Sequence, residues 1–102
     1  MRGEEKMEIE RCLTISTAHI TERTMSKLEN ETDVNDMRLV VFSKGEYGYW
    51  IYCKDTVIEH GAANGIPEDL LKCMELAWKK NCKWLCLDRD EEVSEELNSY
   101  NW

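Results

Sequence analysis

No stretch of this chain approaches the ~18 consecutive apolar residues of a membrane-spanning helix, and its opening, Met1-Arg2-Gly3-Glu4-Glu5, lacks the apolar core of a signal peptide. The five cysteines include no CxxC pair, and Cys82 and Cys86 straddle a helix end and a strand, so the short-spaced ligand pairs of structural zinc are missing. An odd number of thiols without that spacing predicts reduced cysteines. A glycine-rich phosphate loop is absent, as are repeats and low-complexity tracts. Basic residues are scarce: 13 Lys and Arg face 21 Asp and Glu, a net charge of −8, which repels phosphate backbones and favours cationic partners. Together these absences predict a cytoplasmic protein with no metal, no cofactor, no membrane contact and no direct nucleic-acid binding.

What is present suits one small folded domain. A chain of 102 residues with 42% hydrophobic and 33% charged residues can bury one modest core and is too apolar to stay disordered. Residues 1–8 are charged and expected to fray, leaving 9–102 as a single α+β domain. From Ile9 to Ser16, Ile9, Arg11, Leu13 and Ile15 alternate with Glu10, Cys12, Thr14 and Ser16, the period of a strand with one more polar face. Thr21 is a good N-cap, with Ile20 and Met25 placed as a hydrophobic staple, and the spacing predicts a short helix over 22–30 facing Met25 and Leu28 inward. Residues 31–37 read as a polar turn.

Arg38–Ser43 and Tyr47–Cys53, rich in Val, Phe, Tyr, Trp and Ile, flank Lys44-Gly45-Glu46 as a hairpin would. Both runs are apolar on both faces, so one aromatic face is expected to be partly exposed. The long connection 54–66 can hold an edge strand at Thr56-Val57-Ile58. Pro67 at the first helical position, Glu68 and Asp69 near the start and Lys79 and Lys80 near the end bracket a second helix. Its buried stripe is read as Leu70, Cys73, Met74, Ala77 and Trp78. Lys83–Asp88 is the last strand. The order β-α-β-β-α-β is that of the split βαβ, ferredoxin-like sandwich, with two helices on one face of a four-stranded sheet. An α+β arrangement with an extra short strand near 56–59 is the alternative. In the ferredoxin-like order the last strand lies beside the first and antiparallel to it. Cys12 and Cys86 then share neighbouring strands, while Asp88 and His19 fall at opposite edges.

Leu13-Thr14-Ile15-Ser16-Thr17-Ala18-His19, the hairpin Tyr47-Gly48-Tyr49-Trp50 and the run from Pro67-Glu68-Asp69-Leu70 through Trp84-Leu85-Cys86-Leu87-Asp88-Arg89-Asp90 to Tyr100-Asn101-Trp102 carry a resemblance. Together these segments resemble a bacterial family known as a domain of unknown function. Its members are small acidic proteins, often carried on mobile elements near anti-restriction genes. The resemblance implies an accessory or counter-defence role and brings no catalytic residues.

Two groups of residues are candidate sites. Ser16, Thr17, His19 and Thr21 lie where a strand meets a capped helix, a place that can present free N–H groups to an anion or a nucleotide phosphate. The same histidine can instead close the junction structurally; for catalysis it has only Glu22 as a nearby carboxylate. Tyr47, Tyr49, Trp50, Tyr52 and Trp84 can form a platform on the open sheet face. RNA-binding sheets stack bases on such residues, but the acidic balance favours a protein partner or a homodimer. Asp88 and Asp90 resemble paired metal-binding or acid–base carboxylates, but beside Arg89 they read better as a strand-ending turn. The acidic run on through Glu91, Glu92, Glu95 and Glu96 reads as a solvated segment or an acidic patch. The reading that results is a non-catalytic protein-binding module using Tyr49, Trp50, Tyr52, Trp84, Asp88 and Asp90. A small-molecule or phosphate binder at the junction is the alternative.

Overall fold

The computed structural model describes residues 7–102. Four strands, β1 (Cys12–Ser16), β2 (Val41–Ser43), β3 (Gly48–Tyr52) and β4 (Trp84–Asp88), form one mixed sheet in the order β1-β4-β3-β2. β1 runs parallel to β4, whereas β3 is antiparallel to both β4 and β2. The fold is therefore α+β, but its strand order is not ferredoxin-like. The reason lies in β4: Leu85, Cys86 and Leu87 are all buried, so this strand buries side chains on both of its faces. A strand apolar on both faces belongs inside a sheet. β1 keeps Cys12 and Thr14 exposed and takes the edge. Cys12 and Cys86 do lie on neighbouring strands, but in a parallel ladder that pairs Ser16 with Asp88. The expected antiparallel pairing is thus corrected, and Asp88 shares one end of the sheet with the Ser16–Thr21 junction.

Among the described residues four α-helices stand where two were expected. A 3-10 turn (Thr17–His19) follows β1, then come α1 (Glu22–Leu28), α2 (Glu31–Asp36), α3 (Asp55–Glu59) and α4 (Glu68–Lys79). α2 occupies the segment read as a polar turn. Asn30 caps it by accepting from the Asp33 N–H at 3.0 Å, and Arg38, at φ 58°, closes it, with Leu39 N–H bonding back to Val34. No residue of α2 is fully buried, so no apolar period announces it. α3 takes the place of the edge strand considered at 56–59. β3, which precedes it, already has β2 and β4 as neighbours, and Val57 and Ile58 pack on the core from the helix instead.

α4 buries Leu70, Cys73, Met74 and Ala77 completely, and each large side chain removed from water contributes about 1.5–3 kcal/mol. Trp78 is the exception, at 42% exposure. At ~100° per residue it sits roughly 90° from the centre of that stripe, on its border. Pro67 caps α4 from just outside rather than at its first position. At the other end Asn81, at φ 66°, closes the helix, with Cys82 N–H reaching Ala77 O at 2.8 Å. Ile9 is almost fully exposed, so the first strand begins at Cys12 rather than Ile9. The fraying expected of residues 1–8 falls mostly outside the described residues. At Gly48, φ 150°, a Cβ would meet Leu87 O at 1.7 Å, so β3 approaches β4 closely only because this residue has no side chain.

The core gathers Ile15, Ile20, Leu28, Ile51, Leu70, Met74, Leu85 and Leu87 on one face of the sheet. The aromatic side chains that alternate with them belong to the other.

Candidate functional site

Strand alternation and register build that second face. Phe42 pairs with Trp50, Trp50 with Cys86, and Tyr52 with Trp84, which in turn pairs with Cys12 on β1. Residues directly opposite on adjacent strands share a face, so one row runs Phe42–Trp50–Cys86 and a second Tyr52–Trp84–Cys12. The Trp84 ring touches both sides, 4.9 Å from Tyr52 and 6.0 Å from Phe42 by centroids, in tilted packing. Its indole N–H donates to Glu10 Oε1 at 2.9 Å. None of Phe42, Trp50, Tyr52 and Trp84 belongs to the core cluster; Phe42 is 55% and Trp50 37% exposed. Cys12, Phe42, Trp50 and Trp84 line a shallow, almost wholly apolar depression of about 400 Å³.

Charge on this face is internally matched. Lys44 Nζ bonds Asp88 Oδ2 and lies 5.4 Å from the centre of the Trp50 ring and 3.5 Å from Cys86 Sγ. The Lys44 hydrogen bond holds the Asp88 carboxyl below its ordinary range, and the same bond raises the Lys44 ammonium. Lys54 Nζ sits 5.7 Å from the Tyr52 ring, a second cation–π contact at the rim. Burial, with Cys86 next, pushes the Cys12 thiol up.

The other sequence-predicted residues lie elsewhere. Tyr49 points to the covered face and packs against the core, where burial and the Glu29 carboxylate raise its hydroxyl pKa. Tyr47 lies under Arg89 at 5.2 Å. Asp90 follows β4 in a turn, its N–H donating to Asp88 Oδ1 at 2.8 Å. Phe42 was not singled out by sequence, and Cys12 only as a neighbour of Cys86; hairpin register puts Phe42 opposite Trp50, and the β1–β4 ladder puts Cys12 opposite Trp84.

At the strand–helix junction the chain engages its own polar groups. Ser16 Oγ accepts from Ala18 N–H at 3.0 Å, and Thr21 Oγ1 accepts from Thr24 N–H at 3.2 Å. Asp69, at the start of α4, accepts from Thr21 N–H at 2.7 Å and from the Thr24 hydroxyl at 2.9 Å. His19 is buried, with Ser94 N–H donating to Nε2 at 2.9 Å and Nδ1 lying 2.7 Å from Asn98 O. The accepting Nε2 places the ring proton on Nδ1. Tyr100 N–H donates to Ala18 O and the Trp102 indole N–H to Ile20 O, so the segment 94–102 lies across the junction. Thr17 is half-buried beside it.

All five cysteines are free. Among the described residues no three His, Cys, Asp or Glu side chains converge as metal ligands would, and no helix is long and apolar enough to cross a membrane.

The family model described as "Family of unknown function (DUF5983) C-terminal domain" matches residues 12–102. No match was found among curated proteins or among solved structures.

Proposed function

The chain belongs to this family of unknown function, and from that premise we propose that it is a non-catalytic protein-binding module that docks a partner on the open face of its sheet. The observation that carries this reading is the row of Phe42, Trp50, Tyr52 and Trp84 outside the core, around an apolar depression. Aromatic side chains with a polar rim are the usual anchors of protein interfaces. The Lys44–Asp88 pair neutralises the face locally, and the excess acid elsewhere steers a cationic partner toward it. Phosphate-bearing partners are disfavoured by the same charge. The resemblance adds the setting: a cytoplasmic accessory protein of a mobile element that antagonises a host-defence factor. The anion-binding alternative draws less support, since the junction's caps and both His19 nitrogens are engaged within the chain.

Affinity capture from a native host, with wild type beside Phe42→Asp and Trp50→Ala, tests this. The wild type should retain a specific protein that both variants lose while staying folded by circular dichroism. Equal capture by all three would overturn the reading. A homodimer would appear instead as a concentration-dependent mass that the same variants abolish.

A further inference from the structure

At the end of the sheet where Ser16 pairs with Asp88, a second concavity of about 260 Å³ opens between the β2–β3 turn, α1 and the C-terminal segment. It is smaller than the ~300 Å³ at which drug-sized pockets begin. Its lining includes three aromatic rings, Tyr47, Tyr49 and Trp102, and two carboxylates, Glu29 and Glu46. π-faces combined with carboxylates suit a weakly hydrated organic cation: the rings attract it through their quadrupoles and the carboxylate supplies the counter-charge.

Two observations narrow the cation. First, the chain seats a guanidinium of its own at this wall. Arg89 lies 5.2 Å from the Tyr47 ring centre and its Nη2 3.6 Å from Glu46 Oε1. A planar, forked cation therefore already fits the combination of ring and carboxylate found here. Second, that pairing uses Tyr47 and Glu46 and leaves Tyr49, Trp102 and Glu29. No ion pair to Glu29 forms among the described residues. Trp102 is held by its bond to Ile20 O at 2.9 Å, and Tyr49 is anchored against the core. Both rings are thus tied to the fold by a contact of their own, Trp102 while remaining 54% exposed, which lowers the cost of ordering them on binding.

We propose that this concavity binds a second guanidinium, that of an arginine side chain, against Tyr49 and Trp102 with Glu29 as its counter-charge. The site is independent of the open sheet face, because Tyr49 and Trp50 point to opposite sides of β3. The guanidinium can come from a free arginine derivative or from an arginine in a protein segment.

Titration of the full chain with N-acetyl-arginine amide, with N-acetyl-lysine amide and with the peptide Gly-Arg-Gly, followed by amide chemical shifts, tests the assignment. The arginine amide should bind saturably and shift residues around Tyr49 and Trp102. Glu29→Gln and Trp102→Ala should each weaken binding about tenfold, the scale of losing one charge-assisted or cation–π contact. Trp50→Ala should leave it unchanged, which separates this site from the protein-docking face. Tighter binding of the peptide assigns the source to a protein side chain, and equal binding to a free arginine derivative. Both results support a guanidinium site. Absence of saturable shifts in the wild type, equal affinity for the lysine amide, or binding that survives both pocket variants would overturn it.

Discussion

The two faces of the sheet are drawn from the same four strands and the same alternation, yet they meet different environments. On the covered face Ile15, Ile51, Leu85 and Leu87 touch helices and one another and lose essentially all exposure. On the open face Phe42, Trp50, Tyr52 and Trp84 touch chiefly each other and two lysines, and Phe42 and Trp50 stay exposed. The contrast shows that apolarity along a strand does not by itself define a core. What decides is whether a second layer is available, and all the core contacts of the helices fall on one side. Natural sheets exposed on one face usually carry polar residues there, so four clustered aromatics on that side are a departure, and it is this departure that the proposed docking rests on.

Substitutions matched across the two faces should break or sharpen this contrast. Leu85→Ala should destabilise the fold by about 2–5 kcal/mol, because a completely buried leucine leaves both lost burial and a cavity. Phe42→Ser, on the opposite face of the same sheet, should cost less than about 1 kcal/mol, as exposed positions generally do. Urea denaturation measures both, and similar losses would mean that the open face is not open.

Thiol chemistry separates the faces in rate rather than in stability. Burial pushes the Cys53 and Cys73 thiols up to about 12, so neither forms appreciable thiolate at neutral pH. Cys12, on the open face, is exposed. Brief alkylation of the native protein followed by peptide mass mapping should modify Cys12 first and leave Cys53 and Cys73 intact until the chain is unfolded. Early modification of Cys73 would contradict the packing of α4 against the sheet.

The smallest expected effect concerns the Lys44–Asp88 pair. Asp88 titrates below its ordinary range when folded, so its contribution is present above about pH 4 and fades as pH falls through the lowered value. Lys44 titrates above its ordinary range, so its contribution is present below about pH 10 and fades as pH rises through the raised value. Between those limits the pair is insensitive to pH. Asp88→Asn should flatten the acid side of the stability curve slightly, measured as the urea midpoint stepped downward from pH 5. An unchanged acid limb in the variant would show that the pair adds nothing measurable.

Much of the architecture was legible. The hairpin, the first and last strands, the capped α1 and the apolar stripe of α4 follow from period, caps and turn residues, because each is decided within a few neighbours along the chain. α2 was illegible because its sequence, Glu31-Thr32-Asp33-Val34-Asn35-Asp36, offers one apolar residue and no period, and its stop is an Arg38 in a conformation usually left to glycine. Trp78 misled because a residue on the border of a helical stripe is assigned to the core or to solvent only by what packs nearby. Of the candidate site, Trp50, Tyr52 and Trp84 were expected on the partly exposed face, Tyr49 was grouped with them although it faces the core, and Phe42 and Cys12 needed the register.

The sequence by itself determined the elements whose signals are local: the hairpin, the first and last strands, the capped start of α1 and the apolar stripe of the long helix apart from Trp78. It also set the acidic balance and the supply of aromatics. Tertiary structure alone decided that β4 lies between β1 and β3, that β1 runs parallel to it, and that Asp88 meets the Ser16–Thr21 end of the sheet. It alone folded residues 94–102 across His19 and gathered Tyr47, Tyr49 and Trp102 around one concavity. The physical reason is range. Caps, turns and periodicity act over one or two turns of chain, whereas strand order is settled by which strand gains most from burial on both faces, a comparison among segments that meet only in the folded protein.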